Sequence, residues 1–107
     1  MKYKVFTIMP FDRQLKRLAK KYPSLKEEYA NLLNSLETNP EQGTFIGNHC
    51  FKIRMAIASK AKGKSGGARV IAHILVENET VYLLSIYDKS DQENITNKEI
   101  IDLLKHI

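Results

Sequence analysis

The sequence has few cysteines, glycines and prolines, and these shortages exclude several classes of protein. Its single cysteine, Cys50, rules out an internal disulfide and a zinc site built from several cysteines. The five glycines and three prolines form no linker, repeat or low-complexity run, so the 107 residues are predicted to form one domain, 1–107. The apolar stretch near the N-terminus is too short for the core of a signal peptide or for a membrane span. A reducing, cytoplasmic location without a membrane partner is therefore expected.

Acidic residues are absent from a long central window of the chain. Between Gln42 and Val76 there is no Asp or Glu, whereas the same window holds six Lys or Arg. These six residues are Lys52, Arg54, Lys60, Lys62, Lys64 and Arg69. The whole chain carries +5 at pH 7, and without these six it would carry −1. Because surfaces that only maintain solubility mix both signs, this concentrated charge predicts a polyanionic partner such as nucleic acid.

Hydrophobic periodicity predicts an α+β domain with the element order β-α-α-β-β-β-α. Alternating or continuous apolar runs indicate four strands, at residues 2–8, 50–58, 69–76 and 80–87. Helical spacing of apolar residues indicates a helical hairpin over 11–22 and 24–38 and a closing helix over 97–107. The last three strands are joined by short connections, so they should pair as an antiparallel meander. We expect a mainly antiparallel, four-stranded sheet with the helical hairpin packed on one face.

Local signals place the ends of these elements. Pro10 can start the first helix, and Ser24 to Glu27 matches a capping box ahead of the second. Thr96 to Glu99 repeats the capping-box pattern before the closing helix. Residues 41–49, which include two glycines, are predicted to form a loop.

The two-residue period of a strand sorts the basic residues from the apolar ones. Lys52 and Arg54 should share one face of their strand, and Ile53 and Met55 the other, which must face the helices. The two cations are therefore expected on an open face. Arg69 begins the next strand, so it should enter near them. At the end of the fourth strand, Tyr87 and Lys89 are placed to border the same cleft.

Other apparent motifs carry less weight. The Gly-Lys-Ser triplet at 63–65 lacks the earlier glycine and the following helix of a phosphate-binding loop, which argues against a nucleotide cofactor. His49 and His73 are dispersed and show no metal-ligand spacing, so no metal site is predicted, and His73 is interpreted as structural or surface. Cys50 is interpreted as a small core residue.

Three segments together resemble the RelE/ParE superfamily of type II toxins: CFKIRM, SKAKGKSGGARVI and VYLLSIYDKSDQEN. The likeness is greatest to the RelE/HigB-like branch, which carries a K-G-K-x-G-G-x-R-[VI]-I element, and it spans essentially the whole chain. It implies a RelE-like fold and a ribosome-dependent mRNA endoribonuclease. It also implies a neutralising antitoxin, with the ribosome and mRNA as further partners and no cofactor.

The resemblance assigns roles residue by residue. Lys52 and Arg54 match the paired basic residues of the family, Arg69 the arginine that opens the next strand, and Lys89 the basic residue after the last strand. The prototype has a catalytic tyrosine shortly after that residue, whereas SDQENIT here contains none and Tyr87 lies earlier.

The steps of metal-independent RNA cleavage suggest a chemical role for each of these positions. Arg54 and Arg69 are assigned to the scissile phosphate, because guanidinium groups bind phosphate through two parallel hydrogen bonds. Lys52 is the candidate base or proton carrier, since neighbouring cations favour its neutral form. The loop lysines are assigned to contacts with the RNA backbone: Lys60, Lys62 and Lys64.

Two alternatives stay open at the level of the sequence. One is a DNA-gyrase poison on the same fold, which does not need the basic set. The other is a catalytically inert RNA-binding module, which the missing tyrosine favours.

Overall fold

The computed structural model of the chain describes residues 2–60 and 66–107, and that part contains three α-helices and five β-strands. The helices are α1 (Met9–Lys21), α2 (Leu25–Thr38) and α3 (Asn97–Leu104). The strands are β1 (Lys4–Thr7), β2 (Thr44–Gly47), β3 (Cys50–Met55), β4 (Ala68–Leu75) and β5 (Thr80–Asp88). Short 3₁₀ turns cover Ala58–Lys60 and Val76–Asn78. The predicted α+β class is confirmed. No helix in the described ranges is long and apolar enough to cross a membrane.

The five strands form one sheet in the order β1-β5-β4-β3-β2. β1 runs parallel to β5, and the other neighbours are antiparallel. The predicted meander of β3, β4 and β5 is therefore confirmed. The expectation of four strands is wrong, because the segment interpreted as a loop contains β2.

The additional strand β2 is short, and an unusual turn connects it to β3. Gly47 pairs with Cys50, and the two residues between them, Asn48 and His49, have φ of 54° and 57°. Positive φ at both central residues is the geometry of the tight hairpin turn that usually selects glycine. With His49 in place of glycine and only four residues in the strand, the segment carries little sequence signal for a hairpin.

Helix starts agree with the sequence in two of three cases. Pro10 lies in the first turn of α1. At α3, Thr96 accepts a hydrogen bond from the Glu99 backbone and donates one back to its side chain, so this capping box is confirmed. The capping box at Ser24 is wrong. Its hydroxyl contacts Ser59 Oγ at 2.7 Å, which joins α2 to the turn at 58–60 instead of capping the helix.

One apolar cluster unites the helices with the sheet. Phe11 and Leu36, from α1 and α2, are fully buried in it. Ile53 of β3 is buried beside them, as the strand period predicts. Cys50 is also buried, and burial raises the pKa of its thiol to about 11, so its predicted role as a small core residue is confirmed.

Helix α1 continues the sheet edge where β1 stops. The pairing of β1 with β5 ends at Leu83, and beyond it Gln14 of α1 accepts hydrogen bonds from Ile86 N at 3.0 Å and Ser85 Oγ at 3.2 Å. This contact satisfies an edge amide that would otherwise lack a strand partner. It also holds α1 beside the last residues of β5.

Candidate functional site

One row across the sheet brings together three of the predicted site residues. Arg54 of β3 pairs in register with Arg69 of β4, and Arg69 pairs with Tyr87 of β5. Directly paired residues on antiparallel strands project from the same face, with Cβ atoms about 5 Å apart. We call this row the Arg54–Arg69–Tyr87 rung. Two arginines placed opposite each other disfavour folding, which is typical of a functional constraint.

The members of the rung differ in their access to solvent. Arg54 is exposed, whereas Arg69 is only 4% exposed and Tyr87 5%. The guanidinium of Arg69 donates to the carbonyl of Ala68 at 3.2 Å. The rung therefore places the exposed guanidinium of Arg54 at the surface, beside the buried guanidinium of Arg69 on the adjacent strand.

Lys52 lies on the next rung of the same face. Its register partner on β4 is Ile71, and its Nζ contacts Asn94 Oδ1 at 3.4 Å. With Ile100 of α3 it lines a cleft of about 200 Å³. Lys52 and Arg54 thus share a face, as predicted. That face is not open as expected, because α3 and the residues before it cover the part around Lys52.

Tyr87 closes the rung on β5. Burial raises the pKa of its hydroxyl, the positive charge of Arg69 opposes this shift, and the nearby carboxylate of Glu99 adds to it. Among the described residues, the Tyr87 hydroxyl has no hydrogen-bond partner. The phenol is therefore neutral at physiological pH, and its proton is not engaged by those residues.

Lys60 is placed differently from the sequence-based prediction. Its Nζ lies 2.5 Å from Asp88 Oδ1 and 2.9 Å from Ser90 Oγ, and its side chain is only 7% exposed. The expectation that Lys60 is a flexible lysine that contacts RNA is wrong, because its ammonium group forms a buried ion pair within the protein. Lys62 and Lys64 lie outside the described residues.

Asp88 is the structural residue that the sequence did not single out. It accepts hydrogen bonds from Tyr22 Oη at 2.6 Å and from Ser90, in addition to the ion pair with Lys60. Burial alone would raise the pKa of Asp88, but these bonds together hold it well below its usual range. A lone carboxylate at the end of an apolar strand is the sequence signal that could have identified it.

Lys89 lies beside the rung through its backbone. Its N–H donates to the carbonyl of Gly67 at 3.1 Å, directly before β4. A Cβ atom at Gly67 would clash with the carbonyl of Met55, so glycine at this position allows the end of β3 to approach the start of β4 closely. Lys89 and Arg69 are thereby brought to the same end of the sheet.

His49 and His73 lie at the other end of β3 and β4. His73 pairs in register with Cys50, and its Nδ1 lies 2.8 Å from the carbonyl of Asn48. Burial lowers the pKa of His73, so its ring is neutral and structural, as predicted. In residues 2–60 and 66–107, no group of three or more His, Cys, Asp or Glu side chains could hold a metal ion.

A comparison with known protein families identifies the family that this chain matches. Residues 4–106 match the family described as RelE toxin of the RelE / RelB toxin-antitoxin system. The chain belongs to the RelE toxin family. The resemblance to RelE-type toxins is therefore confirmed, whereas the narrower likeness to the HigB branch stays a prediction.

Solved structures of RelE proteins share the fold of this RelE-family chain. A variant of the E. coli toxin RelE in the free state is 20% identical, with a TM-score of 0.62 and coverage of 100% of this chain and 99% of that one. The RelBE2 toxin–antitoxin complex of Mycobacterium tuberculosis contains a chain that is 18% identical, with a TM-score of 0.60 and coverage of 85% and 95%. At these identities the likeness establishes the RelE fold.

Proposed function

We propose that this RelE-family toxin cleaves mRNA bound to the ribosome, and that the Arg54–Arg69–Tyr87 rung with Lys52 forms its catalytic site. The observation that carries the proposal is the register that sets two arginines and a neutral tyrosine in one row. Such a row is a preorganised set of donors for a phosphate whose negative charge increases during reaction. Action on the ribosome implies a cytoplasmic location.

The reaction needs three operations on the RNA. The 2′-hydroxyl loses its proton and its oxygen attacks the adjacent phosphorus, while the bond from phosphorus to the 5′-oxygen breaks. The products are a 2′,3′-cyclic phosphate and a 5′-hydroxyl, so no water, metal or cofactor is consumed. The site must accept one proton, stabilise the charged phosphorane and return a proton to the leaving oxygen.

The two arginines stabilise the phosphorane. Arg54 is exposed and carries a planar fork of donors, so it binds the scissile phosphate directly. Arg69 is 4% exposed and adds its charge from the adjacent strand. Because a buried charge is screened less by water, it acts more strongly on a phosphate held against the rung.

Lys52 and Tyr87 supply the proton transfers. Lys52 stands on the same face as Arg54 and is partly exposed, so its amine can reach the 2′-hydroxyl. Tyr87 is assigned as the donor to the 5′-oxygen, because burial raises the pKa of its hydroxyl and keeps the proton on it; RNA binding must uncover this buried hydroxyl before it can donate. Lys89, at the same end of the sheet, contacts the flanking phosphate.

A neutralising antitoxin is the expected protein partner. The matching Mycobacterium tuberculosis structure is a toxin–antitoxin complex. On this chain, the positively charged rung favours a partner with an acidic segment that covers it. Copurification from cells that express the native operon would identify that partner. Recovery of the toxin without an acidic protein would contradict this part of the proposal.

Primer extension on mRNA after induction tests the activity. Wild type should produce discrete cleavage within translated regions, and Arg54→Ala and Arg69→Ala should lose it. Lys26→Ala removes an exposed cation of α2 and should cleave as wild type does. Circular dichroism checks that each variant is folded. Uncut mRNA with altered DNA supercoiling would instead support a gyrase poison, and RNA binding without cleavage an inert module.

A further inference from the structure

The cleft beside Lys52 combines apolar walls with side-chain amides. It has a volume of about 200 Å³ and is formed by β2, β3, α3 and the segment between β5 and α3. Three isoleucines supply its apolar walls, and two asparagines and one lysine supply its polar groups: Ile46, Ile95, Ile100, Asn94, Asn97 and Lys52. We call it the Lys52 cleft. Pockets for drug-sized ligands have the same mixed composition but begin at about 300 Å³, so this cleft suits a smaller group such as one flat ring system.

The two asparagines of the Lys52 cleft differ in the hydrogen bonds they already make. The side-chain oxygen of Asn97 accepts a hydrogen bond from Asn48 Nδ2 at 2.7 Å. The side-chain oxygen of Asn94 has only the 3.4 Å contact with Lys52 Nζ, and within the described residues Asn94 Nδ2 makes no hydrogen bond. A carboxamide oxygen accepts two hydrogen bonds and its nitrogen donates two. Asn94 can therefore still accept one hydrogen bond from a ligand and donate another to it.

The local structure around Asn94 does not depend on its side chain. Thr96 and Glu99 form the capping box that begins α3. Gln92 Nε2 donates to the backbone carbonyl of Asn94 at 3.0 Å, a contact that any residue at this position could make. The Asn94 side chain itself is exposed. Support of the segment between β5 and α3 therefore does not account for an amide here.

The Lys52 cleft adjoins the candidate catalytic site. Lys52 and Arg54 belong to β3 and share one face of it, about 7 Å apart along the strand. Arg54 is assigned to the scissile phosphate and Lys52 to the attacking 2′-hydroxyl. The base of the attacked nucleotide is attached to the same ribose as that hydroxyl. When Lys52 engages the ribose, this base is therefore within reach of the cleft.

We propose that the Lys52 cleft binds the base on the 5′ side of the cleaved bond, and that Asn94 selects adenine there. The inference rests on the proposed function, which supplies the RNA. A side-chain amide pairs with adenine through two hydrogen bonds, because its oxygen accepts from N6 and its nitrogen donates to N7. Guanine has an acceptor, O6, where adenine has the N6 donor, and pyrimidines have no N7. The isoleucines of the cleft contact the apolar faces of the ring.

Mapping of cleavage sites over many messages tests the selection with Asn94→Ala. Wild type should cleave after adenine on the order of tenfold more often than after the other bases. In Asn94→Ala, cleavage after adenine should fall to the frequency found after the other bases, where cleavage continues as in wild type. Asn31→Ala is the matched control, because it removes an exposed asparagine of α2, and it should keep the wild-type pattern. Circular dichroism checks that each variant is folded.

Asn94→Asp tests the hydrogen-bond pattern in the same assay. A carboxylate only accepts hydrogen bonds, so it matches the N4 amino group of cytosine and repels the N7 acceptor of adenine. The preferred base before the cut should therefore change from adenine to cytosine. A preference for adenine that persists in Asn94→Ala would overturn the proposal, and so would wild-type cleavage that does not depend on this base.

Dinucleotide binding separates this inference from the proposed activity. The probes carry adenine or uracil on a first, 2′-deoxy nucleotide, so neither can be cleaved. In NMR titrations, wild type should bind the adenine probe several-fold more tightly and shift the side-chain amide signals of Asn94, whereas Asn94→Ala should bind both probes alike. If wild type cleaves no mRNA but shows this difference, the base pocket stands and the catalytic assignment fails. If wild type cleaves mRNA but binds both probes alike, the catalytic assignment stands and the cleft does not select a base.

Discussion

Lys60 and Asp88 form an ion pair that fastens the end of β5 to the turn at Ala58–Lys60. Their side chains are 7% and 0% exposed, so neither charge is compensated by water. Each charge therefore depends on the other. Because Asp88 directly follows Tyr87, this pair also fixes the end of the Arg54–Arg69–Tyr87 rung.

Asp88→Asn should lower the free energy of unfolding by about 3 kcal/mol or more, because it leaves the buried ammonium of Lys60 without a counter-charge. Urea denaturation measures the change. Asp102→Asn is the matched control, since Asp102 has an exposed ion pair with Lys105 and should change stability far less. Similar losses in the two variants would contradict a special role for the buried pair.

Asp88 should also make the fold sensitive to acid. The pKa of its carboxyl is lower in the folded protein than the ordinary value of 3.8. Just below pH 3.8 the unfolded chain therefore binds a proton at this carboxyl, whereas the folded chain does not. The contribution is complete above about pH 4 and is lost as pH falls further, through the folded pKa. Urea midpoints from pH 5 to pH 2 should fall more steeply for wild type than for Asp88→Asn. Parallel curves would show that Asp88 is not linked to acid unfolding.

Tyr87→Phe should have opposite effects on stability and activity. Removing a buried hydroxyl that lacks a partner in the described part of the chain should raise the free energy of unfolding by about 1 kcal/mol. Loss of the proton donor should slow mRNA cleavage by roughly 100-fold or more. Urea denaturation and single-turnover cleavage on programmed ribosomes report the two effects. A variant with wild-type cleavage would remove Tyr87 from the mechanism.

Arg54→Lys tests whether the exposed arginine acts through its fork or only through its charge. Lysine keeps the charge but cannot form two parallel hydrogen bonds with one phosphate, so cleavage should fall on the order of tenfold. Affinity for RNA should change little. Cleavage assays and binding of a non-cleavable RNA with a 2′-deoxy residue separate the two quantities. An equal fall in affinity and cleavage would assign Arg54 to binding alone.

Sequence periodicity predicted the face of the site because a strand alternates strictly. Lys52 and Arg54 had to share one side once Ile53 was assigned to the core, and the short connections indicated which strands pair. The period could not show that α3 would cover the area around Lys52, since that depends on how the last helix returns to the sheet. The alternation of side chains along a strand predicts which face of the sheet each one is on. Tertiary packing decides whether that side chain is exposed to solvent.

Long-range polar contacts could not be predicted from local patterns. Lys60 and Asp88 are 28 residues apart, and nothing near Lys60 in sequence marks it as different from the lysines that follow. Ser24 matched a capping box, yet its hydroxyl contacts Ser59 because the two segments meet in space. In both cases the partner is supplied by the fold, so the sequence pattern around one residue is not sufficient.

The parallel pairing of β1 with β5 links an early segment of the chain to a late one. Lys4 pairs with Thr80, so β1 has no strand partner during synthesis until most of the chain has left the ribosome. The rung likewise needs Tyr87 from the same late strand. A nascent chain that stops before β5 therefore contains the arginines but not the site. The row of two arginines and a tyrosine can therefore assemble only after the chain has been synthesised through β5.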